Sequence, residues 1–506
     1  MTEPPPPPHP PPPAMGPRVA AALVFGSSAA VLVVEITALR LLAPYLGLTL
    51  ETSTLVIGIA LAAIALGSWA GGRAADRVDP RRLIAPAMGV SGVVVALSPA
   101  VVRMAAEWAP PLLILVASAA ILVPGALLSA VTPMVTKIRL SDLADTGTVV
   151  GKLSGVGTVG AIAGTVITGF VLISRLPVSA ILVGLGVLLV IGAAVVEWRA
   201  HGWVRSRAAT LVVALTVAAL ASAVAPGGCD AETKYHCAEV VADPDRDSGR
   251  TLVLDGLRHS YVDTADPTVL QYDYVRALAA VVDVAFPDRN ALDAYHLGGG
   301  GLTFPRYLAE VRPGTRSLVS EIDGGVVGLD RDEFGDLAGT GIYIRVEDGR
   351  LGLQRLDADT RDLIIGDAFG GVSVPWHLTT VEALSEIQRV LRPGGVYAAN
   401  LIDHDELAFA RAEVATAAAV FDHVALLGEP TDLAADPASA RGGNLVVVAS
   451  DLPLSVPALD EAVAARDTGW MAITGDELAR WVGDAQVLTD DHAPVDQLLE
   501  PFGSRP

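Results

Sequence analysis

The sequence predicts a two-part protein: an α-helical membrane bundle of about seven spans, then a doubly wound α/β domain fronted by a small β element. Three observations predict it. Apolar runs of about 20 residues, the length a helix needs to cross a bilayer, recur through the first 226 residues. From residue 251 onward, short β-branched runs alternate with helical patterns. The charge divides in the same place: residues 1–228 hold 14 Lys+Arg against 9 Asp+Glu, and the remainder 21 against 47. With 52% hydrophobic residues in 506, the chain is too apolar for an ordinary soluble protein and long enough for two domains.

Residues 1–17 are mostly proline and lack a basic n-region, which reads as a disordered tail and not a signal peptide. Residues 18–226 form the membrane part, with runs near 18–42, 51–72, 83–105, 111–134, 149–173, 177–198 and 208–226. Prolines and charges separate them. Glycines four residues apart in the fifth run (Gly151/Gly155, Gly160/Gly164) favour close helix packing over a pore. Basic residues gather in alternate loops: Arg73, Arg77, Arg81 and Arg82, then Lys137, Arg139 and Lys152, then Arg199, Arg205 and Arg207. By the positive-inside rule the N-terminus is cytoplasmic, and seven crossings leave the C-terminal domain extracytoplasmic.

Cys229 and Cys237 are the only cysteines and directly follow the last run. The pair reads as a disulfide of an oxidising compartment, with unpaired thiols as the alternative. Zinc on Cys229, Cys237 and His236 lacks a fourth ligand, so no metal is expected. Residues 227–290 are expected to form a linker and small β/helix subdomain, with TLVLDG (251–256) as a strand and 268–284 as a helix.

Residues 291–506 form the larger domain. Its strands are LDAYHL, RSLVSEID, IYIRVED (342–348), RDLIIGD (361–367), GGVYAANLI (394–402) and NLVVVAS (444–450). The first runs into four glycines, Gly298 to Gly301, and the second carries Glu321 near its end. Glycines let a backbone approach a nucleoside, and a carboxylate accepts its two ribose hydroxyls. Asp348 and Asp367 close the next two strands, so all three acids reach one rim; each alone would serve equally as a turn former or helix N-cap.

These tracts resemble the spermidine synthase family in its membrane-fused form. The resemblance rests on EITALRLLAPYLG (35–47) and GGRAADR (71–77) in the apolar half. In the soluble half it rests on LVLDG (252–256), HLGGGG (296–301), EID (321–323), EDG (347–349), IIGDAFG (364–370), LRPGG (391–395) and LTDDHAP (488–494). It implies a Rossmann-like methyltransferase/spermidine synthase fold. It also implies aminopropyl transfer from decarboxylated S-adenosylmethionine, a co-substrate with no tightly bound cofactor beside it, to an amine acceptor such as putrescine. By position it makes Asp367 catalytic, Gly298, Gly299 and Gly300 the turn under the nucleoside, Glu321 the ribose ligand and Asp348 the adenine-side ligand. His259, Tyr272 and Asp273 become substrate-side counterparts, and a homodimer is implied.

The amine side departs from the family. Gly301 stands where the resemblance implies an Asp that holds the aminopropyl ammonium, and Gly370 where it implies a second Asp. The acceptor is therefore expected to be non-standard; Tyr261, Asp263, Asp266 and Trp376 are alternative acceptor-lining candidates. His492 reads as a turn residue. The competing readings are a methyltransferase-like enzyme that uses intact S-adenosylmethionine, and a non-catalytic extracytoplasmic binding or transport-associated module. The net charge of −21 argues against nucleic acid as a partner, and neither a P-loop nor a nucleophile elbow occurs.

Overall fold

A computed structural model describes residues 15–46, 50–140, 146–201, 216, 229–371, 373–434 and 440–500. They divide into two compact units whose main boundary falls between Gly228 and Cys229.

The first unit is helical: α1 (Pro17–Leu46), α2 (Leu50–Arg77), α3 (Arg81–Trp108), α4 (Leu113–Ser129), α5 (Val131–Arg139), α6 (Thr146–Ile167) and α7 (Val178–His201). Among the described residues, six helical stretches are long and apolar enough to cross a membrane, α4 and α5 counting as one stretch from Pro110 to Arg139. The seventh expected run, 208–226, lies outside the described residues apart from Thr216. Small residues set the helix contacts. A Cβ on Gly160 or Gly164 of α6 would come within 2.9 Å of the Phe25 or Ala29 Cα of α1, and Gly92 of α3 meets Gly186 of α7 in the same way. Among the described residues Gly151 and Gly155 have nothing within 4 Å, so there only the second of the two glycine pairs packs.

The second unit begins with an antiparallel sheet in the order β1 (Ala231–Glu232), β2 (Cys237–Ala242), β3 (Gly249–Leu254) and β4 (Leu257–Asp263). A disulfide joins Cys229 to Cys237 with 5.2 Å between their Cα atoms. The main sheet follows, built from β5 (Asp293–Leu297), β6 (Arg316–Glu321), β7 (Ile342–Val346), β8 (Arg361–Gly366), β9 (Leu391–His404), β10 (His423–Gly428), β11 (Gly442–Ser450) and β12 (Met471–Thr474). Its order is β12-β10-β11-β9-β8-β5-β6-β7.

The helices of this unit that matter below are α8 (Asp273–Ala285), α9 (Thr303–Val311), α10 (Gly324–Phe334), α11 (Gly349–Gln354), α12 (Val381–Val390) and α13 (Ala408–Val420). They cover both faces of the sheet. Leu363 and Ile365 of β8 point to the layer containing Leu278 and Val281 of α8, while Ile364 points to the layer containing Leu384 of α12 and Phe409 of α13. This alternation is the period of two that a strand buried on both faces requires.

The sheet is mixed and not uniformly doubly wound. Strands β7 to β9 are parallel, whereas β9–β11, β11–β10 and β10–β12 are antiparallel. Strands β10 and β12 are short and buried, and such runs carry no alternation that separates a strand from a buried helix. Strand β5 lies between β6 and β8, so chain order reverses there and opens a crevice at the strands' C-terminal ends.

Candidate active site

The crevice is floored by the turn after β5. Gly298 has φ +93°, and a Cβ there would run into the Asp367 carbonyl and lie 3.0 Å from the Ala368 Cα. Only glycine meets both demands at once. Three hydrogen bonds hold the turn between its neighbours: Gly298 N–H donates to the Ser320 carbonyl at 3.0 Å, Asp367 N–H to the Leu297 carbonyl at 2.9 Å, and Gly299 N–H to the Glu321 carboxylate at 2.8 Å. The other Glu321 oxygen accepts from Asp323 N–H at 2.8 Å. Burial pushes the Glu321 carboxyl up, against those two N–H donors.

Gly301, φ +75°, donates to both oxygens of buried Asp330 on α10, at 3.1 and 3.2 Å. Burial drives Asp330 up to about 8, with the charge of Glu321 adding to it and the Gly301 N–H opposing it. A Cβ on Gly301 would meet the Ser260 side chain, its Cβ 3.0 Å away, so the strand β4 fills the space that an Asp at this position would need.

The cleft has a volume of about 290 Å³, and Gly298, Gly299, Gly300, Glu321, Asp348, Asp367 and His259 all line it. Asp348 serves two roles: one oxygen caps α11 through Leu351 N–H at 3.0 Å, and the other meets His377 Nε2 at 2.9 Å. The wall is braced from behind. Arg350 forms two 2.7 Å bonds to Asp490 and donates to the His377 carbonyl at 3.0 Å, while Thr380 Oγ1 donates to Asp490 at 2.7 Å. This gives part of the LTDDHAP tract a physical task. His492 sits in the turn it closes with Thr489 through two backbone bonds of 3.0 and 2.9 Å.

Asp367 follows β8 directly. Its oxygens accept from Tyr274 O–H at 3.2 Å and Asn400 Nδ2–H at 2.9 Å. Desolvation by the surrounding protein raises its carboxyl to about 6, and these two donors counter it. A carboxylate tuned to that range accepts protons efficiently near neutrality. Asn400 is itself fixed, its Oδ1 accepting from Asn444 at 2.9 Å. The Tyr274 phenol is buried and pushed far up, so it stays a donor.

The small sheet supplies the opposite wall. His236 Nδ1 lies 2.8 Å from Asp255, whose second oxygen accepts from Cys237 N–H at 2.9 Å, and the His236 and His259 rings lie 6.2 Å apart. Burial lowers the His259 pKa. Tyr272 and Asp273 do not line the cleft. Helix α8 starts at Asp273, so Tyr274, Val275 and Leu278 face inward, while Asp273 pairs with Arg276 at 3.3 Å and Tyr272 stacks on Tyr274 at 6.1 Å.

Tyr261, Asp263, Asp266 and Trp376 are also absent from the lining. Tyr261 donates to Asp243 at 2.8 Å, Asp263 pairs with Arg246, and Trp376 is 49% exposed. Sequence reasoning missed Tyr274, Asn400 and Arg258, and it weighed His236 only as a zinc ligand; all four line the cleft. For Asn400 a signal existed: an amide in the apolar strand GGVYAANLI demands a buried partner.

No protein-family model matches the chain. A probable polyamine aminopropyl transferase of Bifidobacterium longum is 26% identical over 289 residues, 53% of this chain and 61% of that protein. A polyamine aminopropyltransferase of Vibrio vulnificus is 30% identical over 158 residues, 29% of this chain and 51% of that protein. The chain thus spans little more than half the length of these curated relatives. Among solved structures, a probable spermidine synthase from Corynebacterium glutamicum is 29% identical with a TM-score of 0.49, covering 53% of this chain and 97% of that one. The spermidine synthase from Thermotoga maritima is 17% identical with a TM-score of 0.35, covering 55% and 84%. Both curated relatives carry the name polyamine aminopropyltransferase, one of them as probable.

Proposed function

We propose that the soluble half, similar in sequence to polyamine aminopropyltransferases, transfers an aminopropyl group from decarboxylated S-adenosylmethionine to an amine, and that the apolar helices anchor it in a membrane. The observation that carries this reading is the single cleft that joins the glycine turn, Glu321 and Asp348 to the desolvated carboxylate of Asp367. In this reading Glu321 accepts the ribose hydroxyls, Gly298 to Gly300 lie beneath the sugar, and Asp348 receives the adenine side.

The sulfonium makes the adjacent methylene electrophilic. The acceptor amine, with a free pKa of about 10, must first shed a proton. Asp367 orients the ammonium and takes that proton, held for the task by Tyr274 and Asn400. The nitrogen lone pair forms the new N–C bond as the C–S bond breaks, and the electron pair stays on sulfur in neutral methylthioadenosine.

The test is calorimetry of the full-length protein with methylthioadenosine and with decarboxylated S-adenosylmethionine, followed by an assay of methylthioadenosine release. Absence of nucleoside binding overturns the reading. A pH profile adds a sign. Asp367 acts as a base only when ionised and its carboxyl is raised to about 6, so kcat/KM is expected to fall as pH drops through about 6 and to level off above it. A profile flat down to the ordinary carboxylate range would remove Asp367 from that role.

The soluble domain is assigned in this proposal to the extracytoplasmic face, the orientation read from the basic loops. The Cys229–Cys237 disulfide supports it, since such bonds persist in oxidising compartments. After mild reduction with an impermeant phosphine, an impermeant maleimide is expected to label these cysteines in intact cells. Labelling that appears only after lysis would reverse the orientation.

A further inference from the structure

The end of the cleft remote from Asp367 is closed by a carboxylate that is held on both oxygens. Strands β8, β5, β6 and β7 lie side by side, so Asp367, the glycine turn, Glu321 and Asp348 follow one another along the sheet edge. Three strand spacings, roughly 14 Å, lie between β8 and β7. That span accommodates a nucleoside with a short 5′ tail and a hydrogen bond at each end.

Leu351 N–H fixes one Asp348 oxygen at 3.0 Å, and His377 Nε2 lies 2.9 Å from the other, with both acid and imidazole lining the cleft. An ionised carboxylate only accepts, so the shared hydrogen sits on Nε2. With the Leu351 bond alone the carboxylate could swing about one oxygen; the second bond, from His377, sets its plane. Each oxygen keeps a lone pair for a ligand, and that ligand must bring a donor. The two side chains are 24% and 30% exposed, so water only partly screens the pair. His377 is itself braced. It lies in the turn Trp376–Leu378, its carbonyl accepts from Arg350 at 3.0 Å, and Arg350 is tied to Asp490 by two bonds of 2.7 Å.

We propose that His377 is a positioning residue for base recognition, orienting the Asp348 carboxylate so that the cleft selects a purine with an exocyclic 6-amino group. This rests on the nucleoside-binding reading above. The amino group donates to Asp348, and its contribution to affinity depends on the imidazole that fixes the acceptor. A base with hydrogen at the same position leaves that carboxylate without a ligand donor.

The test pairs a ligand group with a residue. Methylthioadenosine and its 6-deamino counterpart differ only in the amino group, and each is titrated by calorimetry into the full-length protein. A hydrogen bond to a charged acceptor is worth about 10- to 100-fold in affinity, so the parent is expected to prefer methylthioadenosine by a ratio in that range. His377→Leu cannot donate and is expected to bring the ratio to within about three-fold of unity, whereas His377→Gln, whose amide N–H can reach the same oxygen, keeps an intermediate ratio. A wall that merely loosened would weaken both ligands alike and leave the ratio where it was. A parent ratio near one, or a ratio equal in the parent and His377→Leu, overturns this inference alone. If His377→Leu binds neither ligand, His377→Gln decides: a ratio below the parent's upholds the proposal, and an equal ratio or loss of both ligands there overturns it. Parent protein that binds neither nucleoside overturns the proposed function as well.

Discussion

Asp367→Asn is expected to lower kcat by roughly two to four orders of magnitude, the usual contribution of a positioned general base, while methylthioadenosine affinity stays within about three-fold. The separation follows from geometry. The bonds that fix the glycine turn run from Gly298 to Ser320 and from Gly299 to Glu321, and neither uses the Asp367 side chain. The asparagine keeps one oxygen to accept from Asn400 and places an amide opposite the Tyr274 hydroxyl, which can accept from it. The site therefore retains its shape and loses only the ability to take a proton. Turnover of any accepted amine by the variant at more than about a tenth of the parent rate would show that solvent or another group does the work. An unchanged thermal melt of the variant guards against trivial unfolding.

The parts of this site that sequence reasoning reaches are those made by neighbours along the chain. Gly298 to Gly301 follow a strand directly, and Glu321, Asp348 and Asp367 end or follow the strands beside it, so topology alone delivers them to one edge. Asp348 shows that the two weighed readings are compatible, because it caps a helix with one oxygen and faces the cleft beside His377 with the other. The parts that escape are contacts between distant positions. Tyr274 reaches Asp367 across 93 residues, and Arg350 reaches Asp490 across 140. Nothing in the local pattern at either end announces its partner. Helix α8 adds a phase problem: the family-like tract centres on Tyr272 and Asp273, but the helix begins at Asp273, and this phase turns Tyr274 inward.

The apolar helical half is legible for a simpler reason. A helix long and apolar enough to cross a bilayer shows in composition alone, so the sequence recovers six stretches at nearly the bounds found among the described residues. Which glycines matter is less legible. Gly160 and Gly164 pack against α1 while Gly151 and Gly155, with the same spacing on the same helix, meet nothing among the described residues. Spacing marks a helical face, and only the neighbouring helix decides where along that face contact occurs.

Glycine identity also sets the second large effect. Gly298→Ala is expected to destabilise the soluble domain by on the order of 3 kcal/mol or more, since a left-handed φ and a backbone collision are imposed together. The collision is with the Asp367 carbonyl and the Ala368 Cα, both held by the β5–β8 pairing, so neither can swing aside as a flexible side chain would. Moving β8 away would break the Asp367 N–H bond to Leu297 and shift the proposed base with it. Gly300→Ala is the internal control. Its φ is not left-handed, and its Cβ would lie 3.4 Å from a Leu252 methyl, an ordinary contact, so a change of less than about 1 kcal/mol is expected. Thermal melts of the two single variants in detergent, read by loss of methylthioadenosine-induced stabilisation as well as by midpoint, distinguish them. Equal tolerance of both substitutions would mean that the turn is looser than the Gly298 geometry requires, and the nucleoside would then have to be held from the Glu321 side alone.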